Sequence, residues 1–418
     1  MPRHAGNFQV GRFLSTDPSS PWGGTMHRPG FQPLNDNLRV DVAVVGAGMT
    51  GACLAEHLTA QGRSVCVIDT PPSGLSGTAA NPALLRWEHD LPFSELEAIL
   101  GFDKAAALCR RSISALTGLT ELIAGHNIAC AFQPRRSLYL ADGRDDAGEM
   151  LVEYDLRQRA GLPSIYVSRP DLREQFALDR PAAIVSPGAA EVDPLILERA
   201  LLALAQIGGA RLVEATMTGF QSGASHVDIA TSSGYTVEAN QLVLATGHRV
   251  PGLALPPVHQ VRSSWGFATT PMPSNSLWPE RALLWEASDF DPYLYARTSA
   301  DNRIIVGGDD DETDDESMRQ MMMPQKIATL QERLAVLWPA ADLEIAHVWS
   351  GAYGSTADGL PLIGPVPGHP GVFGAFGFGG NGMTFAFMAS RVINAQLAGE
   401  HRDWFCDFAL DREVPRGL

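Results

Sequence analysis

Lysine is almost missing from this chain: among 418 residues only Lys104 and Lys326 carry an ammonium group. Cysteine is thin too. Cys53, Cys66, Cys109, Cys130 and Cys406 are scattered with no C-x-x-C pair, so neither a disulfide framework nor a metal site is indicated. No apolar run reaches the roughly 18 residues of a membrane-spanning helix, and the opening MPRHAGNFQVGRFLSTDPSSPWGG lacks the apolar core of a signal peptide. We expect a cytoplasmic protein with no integral membrane segment. Positive charge is short as well, and a formal net charge of −16 argues against a nucleic-acid partner, because binding to phosphate backbones rests on Lys and Arg.

What is there describes an ordinary globular chain, 45% hydrophobic and 19% charged, and long enough to divide into two hydrophobic cores. Pro, Gly, Ser and Asn crowd the first 38 residues, which read as an irregular arm. VDVAVVGAGMTGACLAEHLTAQGRSVCVID follows as strand, glycine turn, helix and strand. Residues 94–125 have the apolar spacing of one helix, and 193–209 that of another, started by Asp193 and Pro194. CAFQPRRSLYLA, SIYVS, ARLVEATMTGFQ, HVDIATS, YTVEA and QLVLATG read as strands. The acidic run DDDETDDE at 309–316 reads as a solvated loop without a function, and a helix surrounds QKIATLQERLAVLW.

Between the first strand and its helix stands Gly46-x-Gly48-x-x-Gly51, and Asp69 closes the second strand about 20 residues on. In that context the glycines allow a tight turn and close approach of a pyrophosphate, with Met49 and Thr50 opening the helix whose N-terminus faces it. Asp69 is then placed to accept hydrogen bonds from an adenosine ribose. This much does not separate NAD from FAD. A second glycine cluster, FGFGGNGMTF at Phe376–Phe385, again precedes a helical apolar pattern and suits a backbone that a flat ligand approaches closely.

Two stretches carry a resemblance. QLVLATG resembles the flavoprotein strand that ends in Ala-Thr-Gly beside the dinucleotide, which implies Thr246 and Gly247 at the cofactor. GAYGSTADGLPLIGPVPGHPGVFGAFGFGGNGMTF resembles the C-terminal signature of the D-amino-acid oxidase, glycine oxidase and sarcosine oxidase superfamily of FAD-dependent amine and amino-acid oxidoreductases, over about 39–413. The resemblance implies an α/β fold: a Rossmann-like FAD-binding domain joined to a second, mostly antiparallel β-sheet substrate domain. We expect residues 1–38 as the arm, 39–93, 165–257 and 349–418 as the FAD-binding domain, and 94–164 and 258–348 as the substrate domain. It further implies that Gly377, Gly379, Gly380, Asn381, Gly382, Met383 and Thr384 bring a helix N-terminus to the pyrimidine side of the flavin. More loosely, Thr78 and Ala79 match the stretch passing the pyrophosphate, and Met217 the position whose amide meets adenine; packing serves equally well for all three.

The chain also departs from that family. Some sarcosine oxidases attach FAD through a cysteine two residues before the tyrosine of Y-x-x-T-x-D; here Gly351 stands there, ahead of Tyr353, Thr356 and Asp358. FAD is therefore expected to be noncovalent. Thr384 stands where sarcosine oxidases place a carboxylate-binding lysine, so the charge for an acidic substrate would have to come from Arg86, in PALLRW, or from Arg297. Tyr293, Tyr295 and Arg297 recur at spacing two and share a strand face, which is either a substrate pocket or a solvated face. The implied activity is oxidation of a C–N bond in an amino acid or secondary amine by hydride transfer to FAD, giving an imine that hydrolyses, with O2 or another acceptor closing the cycle. A flavin-binding subunit with an idle substrate site is the alternative, and the oligomeric state is not legible.

Overall fold

The computed structural model describes residues 19–23, 30–71, 76–141, 147–250, 252–286, 293–339 and 343–413. Most of the expected N-terminal arm lies outside them.

Two mixed sheets organise the chain. In the first, Leu38–Val45 pairs in parallel with Val65–Asp69 on one side and Thr236–Leu244 on the other, and Thr236–Leu244 pairs in parallel with Val372–Phe376. Val65–Asp69 and the carboxyl-terminal halves of Leu38–Val45 and Thr236–Leu244 are buried on both faces and read as apolar runs. Helices Met49–Ala60, Pro194–Ile207 and Gly382–Leu397 pack together over one face, while Leu38, Ile68, Leu242 and Phe376 fill the core on the other. Because the four strands are parallel neighbours, Val45, Asp69, Leu244 and Phe376 all end at one edge. A glycine motif or an acid stands at each of these ends.

The second sheet is mostly antiparallel, and runs from Ile345–Thr356 through His259–Thr269, Ile304–Asp311, Leu294–Thr298, Leu283–Trp285 and Gln133–Leu140 to Ala182–Glu191. Ile165–Ser168 also pairs with Ala182–Glu191. A division by sheet therefore puts 165–191 with the second unit, not with the first where we expected it. We propose that division, with Ile345–Thr356 spanning the junction.

Several expectations change. The helix expected over 94–125 is two, Phe93–Leu100 and Phe102–Gly125, broken at Gly101 whose φ is +81°. YTVEA and QLVLATG join in one strand, Thr236–Leu244. The strand Ala182–Glu191 was not foreseen, because Pro187 and Gly188 sit inside it; its register slips there, from Ala189 opposite Arg135 to Ser186 opposite Ser137. The acidic run is a solvated loop only over 312–315: Asp309–Asp311 completes the strand Ile304–Asp311, and Asp315 caps the helix Glu316–Leu337 by accepting from the Ser317 and Met318 amides at 2.7 and 3.1 Å. No helix among the described residues is long and apolar enough to cross a membrane.

Candidate cofactor and substrate site

At the carboxyl edge of the first sheet the loops after four strands surround a cavity of about 450 Å3. Of the residues expected to bind the cofactor, Gly48, Met49, Thr50, Asp69, Thr78, Thr246, Gly247, Gly351, Gly377, Gly379, Gly382 and Met383 line it. Gly46 and Gly51 do not; they make the turn possible from beneath. Gly46 has φ +103°, and a Cβ on Gly51 would stand 1.8 Å from the Gly46 carbonyl, so helix and turn meet only through glycine.

Other residues fall elsewhere. Ala79 is buried, with its amide bound to Ser76 Oγ at 3.1 Å and its carbonyl accepting from the Ser20 hydroxyl at 2.7 Å. Met217 is packed in the core under the first sheet and does not reach the cavity. Asn381 is buried and donates to the Glu88 carbonyl at 2.7 Å. Thr384 donates to the Arg86 carbonyl at 3.0 Å, so it holds the backbone of that arginine and does not line the cofactor cavity. Sequence reasoning had passed over Ser76, His248, Arg319 and Gly354, which also line the cofactor cavity. His248 stood beside the Ala-Thr-Gly motif, whereas Arg319 arrives on a helix of the other unit and left no local signal.

The donor set fits FAD. The helices Met49–Ala60 and Gly382–Leu397 both open at the cavity with no side-chain cap and no acidic residue in the first turn, leaving amides and a positive dipole end for anionic groups. Thr78 Oγ1 accepts from the Met49 amide at 3.1 Å and keeps its own proton to donate. Asp69 closes its strand at the cavity wall, its Oδ1 accepting from the Thr70 amide at 3.0 Å.

A second cavity of about 140 Å3 adjoins the first and shares Gly77, Ala80, Asn81, Gly351, Ala352, Tyr353 and Gly379 with it. Arg86, Tyr293 and Tyr295 line this inner cavity, and so does Gly380, whose amide donates to Asp90 at 2.6 Å. Arg86 lies 4.3 Å over the Trp285 ring and pairs with Asp90 at 2.7 Å. Burial raises the pKa of both tyrosines, which keeps their hydroxyls protonated. Arg297, on the same strand, does not reach the cavity. It is fully buried, donates to the carbonyls of Pro82 at 2.6 Å and Val192 at 3.0 Å, and pairs with Glu191 at 3.4 Å. Burial pushes its pKa down to about 10, and its charge is spent on joining chain segments.

His89, His248 and His259 are held below the ordinary imidazole pKa by burial, His89 at about 3. None is a cation near neutral pH. Lys326 pairs with Asp309 at 3.1 Å and Lys104 with Asp407 at 3.1 Å, and neither lines a cavity described above.

Comparison with known proteins agrees with this geometry. The family described as FAD dependent oxidoreductase matches residues 41–396. Gamma-glutamylputrescine oxidoreductase of Escherichia coli K12 is 24% identical over 386 residues, covering 88% of this chain and 86% of that one. Glycine oxidase of Geobacillus kaustophilus is 25% identical over 392 residues, covering 90% and 98%. The crystal structure of that glycine oxidase superposes with a TM-score of 0.74 at 22% identity, over 90% of this chain and 100% of the other. L-proline dehydrogenase from P. horikoshii superposes with a TM-score of 0.72 at 19% identity, over 90% and 97%.

Proposed function

The chain belongs to the FAD dependent oxidoreductase family, and from that premise we propose that it oxidises a carbon–nitrogen bond in an amine or amino acid, giving an imine that water hydrolyses. The observation that supports this most is the small inner cavity, walled by Trp285, Tyr293, Tyr295, Trp349 and Tyr353, that opens onto the cofactor cavity across Gly351, Ala352 and Gly379. FAD, when bound, supplies the acceptor for the hydride. The chain supplies position and dryness. The aromatic walls exclude water, Tyr293 and Tyr295 offer hydroxyl donors, and a substrate arriving as the neutral amine needs no strong base. The relatives named for glycine and for gamma-glutamylputrescine agree with a nitrogen compound as substrate.

We further propose that FAD is held noncovalently, since Gly351 offers no thiol, and that O2 or another acceptor reoxidises it. The test is to purify the protein alone and add amino acids, N-methyl amino acids and polyamine conjugates under anaerobic conditions. Bleaching of the flavin by one class is the expected result. A flavin that stays oxidised with every compound, yet is reduced by dithionite, would make this chain a subunit with an idle site.

A further inference from the structure

Among the carboxylates that line the inner cavity is one, Asp310, of which one oxygen makes no hydrogen bond. The strand Ile304–Asp311 bulges against His259–Thr269, with Asp311 opposite Ser263 but Gly308 opposite Trp265. Gly308 has φ +133° and Asp309 has φ +52°, a left-handed conformation that costs a non-glycine residue energy. The extra residue breaks the alternation of faces. Asp309 turns to Lys326, while Asp310, the next residue, lines the inner cavity.

Asp310 Oδ2 accepts from the Tyr353 hydroxyl, the Ser264 and Tyr293 hydroxyls also favour its ionised form, and Oδ1 is buried without a hydrogen-bond partner. Every other charge on that wall is already paired. Arg86 is bound to Asp90, Asp90 also takes the Gly380 amide, and Glu286 is bound to Arg180 at 3.1 Å and to Arg333. Arg262 acts on Asp310 through space but lines the neighbouring cavity, with its Nε unpartnered. What remains is a carboxylate oxygen among aromatic rings. That combination attracts a cation, by ion pairing with the oxygen and by the negative faces of the rings.

We propose that Asp310 is the counter-ion for a positively charged nitrogen of the substrate other than the neutral nitrogen that is oxidised, so that the cavity selects a cationic amine with no carboxylate beside that charged nitrogen. This rests on the proposed amine oxidation and names its substrate class. It gives the charge-pairing role to Asp310 rather than to Arg86, whose Nη2 is bound to Asp90.

The test is binding to the flavin-loaded enzyme, read by calorimetry and by perturbation of the flavin spectrum, with tetramethylammonium chloride and sodium propionate as probes. Tetramethylammonium should bind more tightly than propionate. Asp310→Asn should weaken it by at least tenfold and leave propionate unchanged or tighter, while Asp310→Glu should keep the preference. A wild-type enzyme that prefers propionate, or an Asp310→Asn variant that binds tetramethylammonium as well as wild type, overturns the proposal. Should Asp310→Asn not fold, loss of the preference in a folded Asp310→Glu variant overturns it as well. Reduction of the flavin by free amino acids, unaltered in Asp310→Asn, would keep amine oxidation and sink this inference. Tetramethylammonium binding through Asp310 in an enzyme that no amine reduces would do the reverse.

Discussion

Asp69, Arg297 and Asp310, all three charged residues in or beside the site, are used in different ways. Asp69 stands at a strand end facing the cofactor cavity, where charge-assisted hydrogen bonds to a ribose are worth about 1.5–3 kcal/mol each. Asp69→Ala is expected to purify with depleted flavin and an affinity lowered about 10- to 100-fold, measured by titrating FAD into the stripped protein. Arg297 should behave in the opposite way. Its removal strands the Pro82 and Val192 carbonyls and half of the pairing of Glu191, which costs about 3–5 kcal/mol. Arg297→Ala should melt well below wild type while the KM of the folded fraction moves less than a few fold.

Asp310 carries a pH signature. Burial raises its carboxyl pKa, against the hydroxyls of Tyr353, Ser264 and Tyr293 that lower it. The folded state therefore holds this proton more tightly than the unfolded chain does, and stability falls as pH rises from the ordinary carboxylate range through the raised value. Asp310→Asn should melt above wild type at pH 8, with the difference closing as pH is lowered towards 4. A variant that melts below wild type at pH 8 would contradict the raised pKa.

At the scale of elements, the site is made by turns that admit no side chain. A Cβ at Gly51 would collide with the backbone of Gly46, and neither can move without lifting the helix Met49–Ala60 from its sheet. Gly51→Ala is expected to yield colourless protein, checked by the flavin absorbance of the purified fraction. The bulge at Gly308 is a different device, because it aims a side chain instead of clearing space. A non-glycine residue at φ +133° costs about 1–3 kcal/mol, so Gly308→Ala should lower the melting temperature and alter the inner cavity while flavin content stays near wild type.

At the scale of the whole molecule, two sheets meet over a cavity that neither lines alone. Gly351 and Tyr353 come from the second sheet, and Gly48, Asp69 and Gly377 from the first. A ligand between them should stabilise the assembly as a whole. Stripping FAD should lower the melting temperature, and adding it back at about 100 times its Kd should restore about 2.7 kcal/mol. Acid precipitation should release all of the flavin into the supernatant; flavin left on the polypeptide would contradict noncovalent binding.

The amino-acid sequence by itself determined the parts of this protein that depend on neighbours along the chain. Gly46, Gly48, Gly51 and Asp69 are legible because a glycine turn between strand and helix has one backbone solution. The same holds for the loop Gly377–Met383 before its helix. Tyr293 and Tyr295 could be placed on one face by strand periodicity, but nothing local could say that Arg297, two residues on, would be spent on the Pro82 and Val192 carbonyls. The acidic run misled for the same reason, since three consecutive aspartates read as solvated until the bulge at Gly308 and Asp309 separates them. Only the tertiary structure decided which carboxylate would face the cavity, because that depends on the pairing register of Ile304–Asp311 with His259–Thr269 and on Tyr353, brought alongside by another strand. Spacing along a chain fixes faces; which face meets a cavity is settled by what packs against it.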